Sequence, residues 1–310
     1  MPEMHLPGLP GNSPLGFLAA LGTQVALADA GRDFRLSWTD SLIPVAAIDP
    51  ACEVDEIATH VVSLARRWAI GPALDPLPKR DDAKFPVAAI RDYLSSARET
   101  PDGVLAMSFV AENSVDVMTG SKAKPTDFDF TSGNQKLFHI ARRILSETRM
   151  EDIEQTLEDA WQYDERLPSL GWDVNDDRQY ALSAFNPTNT TSNPKLACPG
   201  VQCLAILGLC QYPVFRGLRK TATTACYGTW NRGAFSWPLW ERPASRRVVR
   251  TLIAHTSIPE TAKANTRTLS FSSRVENFPG WGIIKIMSSD IDRSAKYGRF
   301  SPPRVIWQRA

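Results

Sequence analysis

Long hydrophobic runs are missing from this 310-residue chain. The most apolar stretch, Leu204 to Leu209 with its flanks, falls well short of the roughly 20 residues that a membrane-spanning helix needs. No membrane partner is therefore expected. The opening, MPEMHLPGLPG, has no basic stretch followed by an apolar one, so no secretory signal is expected and the reading is cytoplasmic. Histidine is scarce: His5, His60, His139 and His255 are the only four, each isolated in sequence. No nucleophile motif accompanies them, so no catalytic triad can be read. The five cysteines are odd in number and include no C-x-x-C pair. Cys198, Cys203 and Cys210 cluster far from any histidine and read as small apolar core residues rather than zinc ligands. Cys52 and Cys226 likewise read as free thiols, and neither metal nor cofactor is expected. The segment from Gly8 to Gly11 has no Lys-Ser or Lys-Thr after it, which removes the phosphate-loop reading.

What the chain does have is a split in charge. The whole carries +1, but residues 212–310 hold 17 Lys and Arg against 5 Asp and Glu, a balance of +12. Residues 1–211 hold 18 against 29, a balance of −11. An acidic, largely helical region (1–211) joined to a basic hairpin and helix region with a polar tail (212–310) suggests that one end meets polyanion, whether the two form one domain or two. Two solvated faces that compensate each other across the fold would give the same numbers. Nine tryptophans are many; the indole fills cores and also stacks on bases.

Ser13 and Pro14 open a helix through Leu15, Phe17, Leu18, Leu21 and Val25, with serine as N-cap and proline at the first helical position. Phe34 to Trp38 reads as a strand and Val54 to Ile70 as an amphipathic helix through Ile57, Val61, Leu64 and Trp68. Gly71 to Asp82 reads as a loop, Phe85 to Arg98 as a helix, Val104 to Val110 as a buried strand, and Glu112 to Thr126 as a polar loop. Helices follow from the 127–135 motif to Glu147, from Glu151 to Trp161, and from Val201 to Cys210. Asn186 to Pro199 is rich in turn residues. Ala222 to Trp240 reads as a hairpin turning near Trp230 to Gly233. Arg246 to His255 reads as a short helix, with strands near Arg267 to Phe271, Gly282 to Met287 and Val305 to Gln308. Helices and short antiparallel strands mix without regular β-α alternation, so the fold class is α+β.

Three groups of residues carry candidate chemistry. Asp173, Asp176 and Asp177 invite a metal-dependent nuclease reading, since paired carboxylates can hold magnesium at a phosphate. Trp172 packing, a capping Asp176 or Asp177 and an ion-paired Arg178 explain the same spacing and are the favoured reading. In the second group, Thr131 to Gln135 precedes a basic helix. Gly133 permits a tight turn, Asn134 and Gln135 can bond bases or backbone, and Lys136, His139, Arg142 and Arg143 follow, with His139 facing solvent or phosphate. A polar turn that caps its own helix is the alternative. The third group is Arg216, Arg219, Lys220, Arg232 at the hairpin tip, and Arg246, Arg247 and Arg250 on adjoining sides of one helix. Tyr227, Trp230, Trp237 and Trp240 are interleaved with them. Trp237 and Trp240 flank Pro238 and read as core; Trp230 is the better candidate for exposure.

Four blocks stand in a familiar order: Gly11-Asn-Ser-Pro-Leu-Gly-Phe-Leu-Ala-Ala-Leu-Gly22, Phe128-Asp-Phe-Thr-Ser-Gly-Asn-Gln135, Gly171-Trp-Asp-Val-Asn-Asp-Asp-Arg-Gln-Tyr-Ala-Leu182 and Phe235-Ser-Trp-Pro-Leu-Trp240. Together they resemble the accessory large-subunit-like proteins of type I-G (formerly I-U) CRISPR effector systems. That group includes forms fused to, or encoded beside, the helicase-nuclease of that subtype. The resemblance spans about residues 11–255 in blocks. It departs from the pattern at Gly171 and Val174, which stand where Arg and Pro are expected, and at Cys198 to Cys203, which replaces a small-residue run. It implies a non-catalytic subunit of a Cascade-type effector complex in antiviral defence. Its partners would be guide RNA or target DNA, other effector subunits and the helicase-nuclease. The basic segment would supply phosphate contacts, through Arg216, Arg219, Lys220, Trp230, Arg232, Arg246, Arg247 and Arg250, with Asn134, Gln135, Lys136 and Arg143 from the second group. The acidic segment would dock on protein. A purely structural adaptor whose basic face binds an acidic protein is a further alternative.

Overall fold

A computed structural model describes residues 3–74, 82–116, 119–131, 135–174, 196–216, 221–230, 232–255, 257–258, 277–294 and 297–309. The chain opens with β1 (Met4–Pro10), α1 (Pro14–Asp29), β2 (Arg35–Trp38) and β3 (Val45–Asp49). These strands form an antiparallel sheet in the order β1-β3-β2. Pro7 and Pro10 hide β1 from a sequence reading because proline cannot donate to a ladder; an edge strand tolerates it.

A helical layer follows: α2 (Val54–Ala69), α3 (Ile90–Arg98), α4 (Gly103–Phe109), α5 (Leu137–Glu147), α6 (Met150–Glu158) and α7 (Pro199–Leu209). Ser13 caps α1 as expected, its hydroxyl accepting from the Gly16 amide at 3.3 Å. α1 and α7 pack on each other at the centre, and all of α7 and α1 through Leu27 are buried. Both are apolar round most of their surface, as helices enclosed by protein are, with Thr23, Gln24 and Gln202 as buried polar exceptions. Glycine makes their approach possible. A Cβ on Gly22 would stand 1.8 Å from the Leu204 carbonyl oxygen, and one on Gly208 2.0 Å from that of Leu18. The two backbones touch with no side chain between them.

After α7 come β4 (Val214–Arg216), β5 (Thr221–Thr223), β6 (Cys226–Thr229), β7 (Arg232–Trp240), α8 (Arg246–Ile253), β8 (Ile283–Ser294), β9 (Tyr297–Phe300) and β10 (Arg304–Gln308). β4 and β5 form a two-stranded ribbon. The other five make an antiparallel sheet in the order β10-β8-β7-β6, with β9 also on β8. The α+β class is therefore correct. One hydrophobic cluster runs from Leu6 to Phe300, so the acidic and basic segments share a core. A smaller cluster gathers Ile258, Phe278, Ile283, Ile286 and Ile306. Among the described residues, no helix is long and apolar enough to cross a membrane.

Two element assignments are corrected. Val104 to Val110 is not a strand: Gly103–Phe109 is helical. A short, mostly buried apolar run has no polar face to display a period, so strand and helix look alike in it. The helix expected from Phe85 begins only at Ile90, after a 3-10 turn at Val87–Ala89. Pro86 keeps Phe85 out of helical geometry. The Phe85 carbonyl and Val87 amide instead bond Ala123 and Ser121 at 2.8 and 3.0 Å. The strand expected near Arg267 to Phe271 lies outside the described residues.

Candidate nucleic-acid interface

The described parts of the four sequence blocks meet in one aromatic core. Phe17 stacks on Trp38 with ring centroids 5.4 Å apart and lies 5.9 Å from Trp237 and 6.2 Å from Trp240. Phe235 stacks on Trp237 at 4.9 Å and meets Phe128 edge-on at 5.1 Å. Trp172 meets Phe128 at 6.1 Å. Three of the buried indoles are tied to backbone: Trp237 donates to Gly11 O at 2.8 Å, Trp240 to Leu36 O at 2.6 Å, and Trp172 to Phe128 O at 2.9 Å. The buried Trp38 N–H has no partner among the described residues, so stacking on Phe17 rather than a hydrogen bond holds that ring. Trp237 and Trp240 are core, as read from their flanking of Pro238.

Phe128 and Phe130 point into this core, and the segment between Asp127 and Thr131 collects cations around it. Arg293 Nη2 donates to the Asp127 carbonyl at 2.6 Å. Lys124 Nζ lies 3.8 Å from an Asp127 carboxylate oxygen and donates to Thr221 O at 3.2 Å. Lys84 Nζ pairs with the fully buried Asp129 carboxylate at 3.0 Å and donates to Thr131 O at 3.1 Å. Burial, reinforced by the nearby Asp129 charge, raises the Asp82 carboxyl above its ordinary value.

Trp230 sits at the end of β6, where the hairpin turns, and keeps 36% of its surface exposed. The Arg293 guanidinium carbon lies 3.7 Å from its ring centroid and 5.3 Å from that of Phe130. Lys124 Nζ is 5.5 Å from the Trp230 centroid. Burial pulls the Arg293 guanidinium below its ordinary value while Asp127 and Asp129 oppose the shift, and arginine remains charged at neutral pH. Register adds further charge: Asp292 on β8 stands opposite Arg232 on β7 and Arg299 on β9. Arg216 on β4 is opposite Thr221, whose carbonyl Lys124 holds. Side chains alternate along a strand, so Arg232, Asp292 and Arg299 share one face of the sheet end, while Arg293, with Trp230 and Asp127, lies on the other.

A second group lies on α8. Ala244 pairs with Leu36, the residue whose carbonyl also accepts the Trp240 indole, so α8 begins at the Trp240 end of β7. That end is about 26 Å of strand from Arg232, at roughly 3.3 Å per residue. Arg247 and Arg250 are exposed, whereas Arg246 is half-buried and reaches Cys210 Sγ at 3.7 Å. Residues adjacent in the basic segment therefore face different places. Arg143 is on another helix and pairs with Glu147 at 3.0 Å. Gln135 is exposed and Lys136 half-buried ahead of α5. Asn134, Arg219 and Lys220 lie outside the described residues.

Of the three carboxylates read as a metal site, the structure describes Asp173 alone. Asp173 accepts from the Tyr163 hydroxyl at 2.6 Å, and Asp176 and Asp177 lie outside the described residues. Among the described residues, no three His, Cys, Asp or Glu side chains stand close enough to hold a metal. Burial pushes the Cys203 thiol up to about 12 and Cys210 up to about 11, which disfavours the reactive thiolate at both.

No protein-family model matches this chain, and no curated protein matches it. The site rests on its own geometry. Sequence reasoning had singled out Trp230, Arg232 and the 127–135 motif separately. It missed Lys84, which falls between a loop and a helix, Lys124 in the polar loop, and Arg293 and Arg299 in the polar tail. Lys124 and Arg293 join Trp230 to the motif, and no local pattern signals that juxtaposition, because it depends on β8 pairing along β7.

Proposed function

We propose that the protein is a non-catalytic, cytoplasmic nucleic-acid-binding subunit of a type I CRISPR effector complex, touching guide RNA or target DNA through the phosphate backbone. The observation that carries this reading is a set of uncommitted charges. Arg216, Arg232, Arg247 and Arg250 are exposed and make no ion pair among the described residues. Other cations of the same segment are engaged: Arg304 holds Asp290 at 2.8 Å and Arg309 holds Glu241 at 2.5 Å. Free guanidinium groups on two surfaces suit a phosphate backbone, which is recognised by charge rather than by base sequence. The block order supplies the complex to which such a subunit would belong.

Contact with protein subunits is favoured by a separate feature. Leu42 is 92% exposed and Ile43 58%, at the tip of the β2–β3 loop. The loop is held by Thr39 Oγ1 to Ser41 Oγ at 2.9 Å, Ser41 Oγ to Ile43 O at 2.8 Å and Lys285 Nζ to Ser41 O at 2.7 Å. Purification of the assembled effector tests both parts. The chain with all four arginines changed to alanine should enter the complex but retain less nucleic acid. Leu42→Ser with Ile43→Ser should weaken entry itself. Full nucleic-acid retention by the four-arginine variant contradicts the proposal.

A further inference from the structure

We infer that Trp230 is a stacking platform for one unpaired base, and hence that the sheet tip takes single-stranded rather than duplex nucleic acid; this deepens the proposed function and rests on it. The indole is at a hairpin end, where a strand can reach it, and is neither fully buried nor freely mobile. Arg293 lies against the ring at 3.7 Å while its own Nη2 is bonded to the Asp127 carbonyl at 2.6 Å. Phe130 packs on the same guanidinium at 5.3 Å. Arg293 therefore links the Trp230 ring to the buried Phe130 and to the Asp127 backbone. The Trp230 ring is held in orientation and keeps 36% of its surface open. Lys124 beside it is also held by Asp127, so the cations that fix the ring share one anchor.

Such a ring is suited to a base. Stacking needs a flat apolar face presented with little entropy to lose, and a guanidinium behind the indole supplies that order through cation–π attraction. The neighbours suit what a base is attached to: Lys124 lies 5.5 Å from the ring centroid, and Arg216, opposite the Thr221 whose carbonyl Lys124 holds, carries an exposed guanidinium. Duplex bases are already stacked on one another and would present only phosphates to this tip. Arg293 is a positioning residue here, acting through Trp230.

The test is binding of a fluorescein-labelled oligothymidine of about 15 nucleotides and of the matching duplex, read by anisotropy at one fixed salt concentration. The wild-type chain should prefer the single strand. Trp230→Ala should weaken single-strand binding by about tenfold and leave the duplex unchanged, while Trp230→Phe retains most of the affinity. Equal single-strand binding by wild type and Trp230→Ala, with both still binding, overturns this inference alone. Failure of the wild type to bind either probe overturns the proposed function with it.

Discussion

Cys203 and Cys210 lie within and at the end of the buried helix α7, and burial raises their thiols to about 12 and about 11. Their reactivity should therefore report unfolding. Mass-spectrometric mapping after brief treatment with a thiol reagent at neutral pH should find both unmodified in the native protein and labelled once denaturant is added. A second expectation concerns acid. The Arg309 guanidinium, bonded to Glu241, holds that carboxyl below its ordinary value. A lowered folded-state value stabilises the fold above the unfolded carboxyl pKa, and the gain disappears as pH falls through the folded value. The small advantage of wild type over Arg309→Met, small because the pair is solvent-screened, should shrink below about pH 4 in urea titrations. At this scale the sequence was informative where one residue has one local job. Ser13 as a cap follows from its place before Pro14, and Trp237 and Trp240 as core follow from their apolar setting. That Trp230 backs onto Arg293, 63 positions away, has no local signature.

The α1–α7 contact is the element on which the fold most depends. Gly22→Ala or Gly208→Ala places a methyl group onto a carbonyl of the opposing helix, and neither backbone can withdraw without opening the core. Each change should cost more than about 2 kcal/mol, seen as a lower urea midpoint with an unchanged slope. Elements with one wet face were legible. Helices α2, α5 and α6 each pair a buried stripe with charge, and their limits fall within a few residues of those expected. The mostly buried run at Gly103–Phe109 was not legible, because burial on most sides erases the period that separates helix from strand. The same reasoning accounts for β1, where proline argues against a strand and only its edge position permits one.

Across the whole molecule, part of the charge split closes on itself. Arg309 in the basic segment pairs with Asp40 in the acidic one at 3.0 Å, and Arg293 and Lys285 donate to the Asp127 and Ser41 carbonyls. Compensation across one core therefore explains some of the +12. Among the described residues, the remainder that is exposed and unpaired includes Arg216 and Arg232 at the sheet tip and Arg247 and Arg250 on α8, a division that the linear order of charges conceals. That remainder is the basis of the polyanion account, and the slope of log affinity against log salt measures it most directly. Wild type should bind an RNA or DNA oligonucleotide with affinity falling steeply as salt rises, and Arg247→Ala with Arg250→Ala should flatten the slope by about one to two units at roughly 0.7–0.9 per phosphate contact. Binding that ignores salt, or a slope that the double change leaves as it was, would contradict the account.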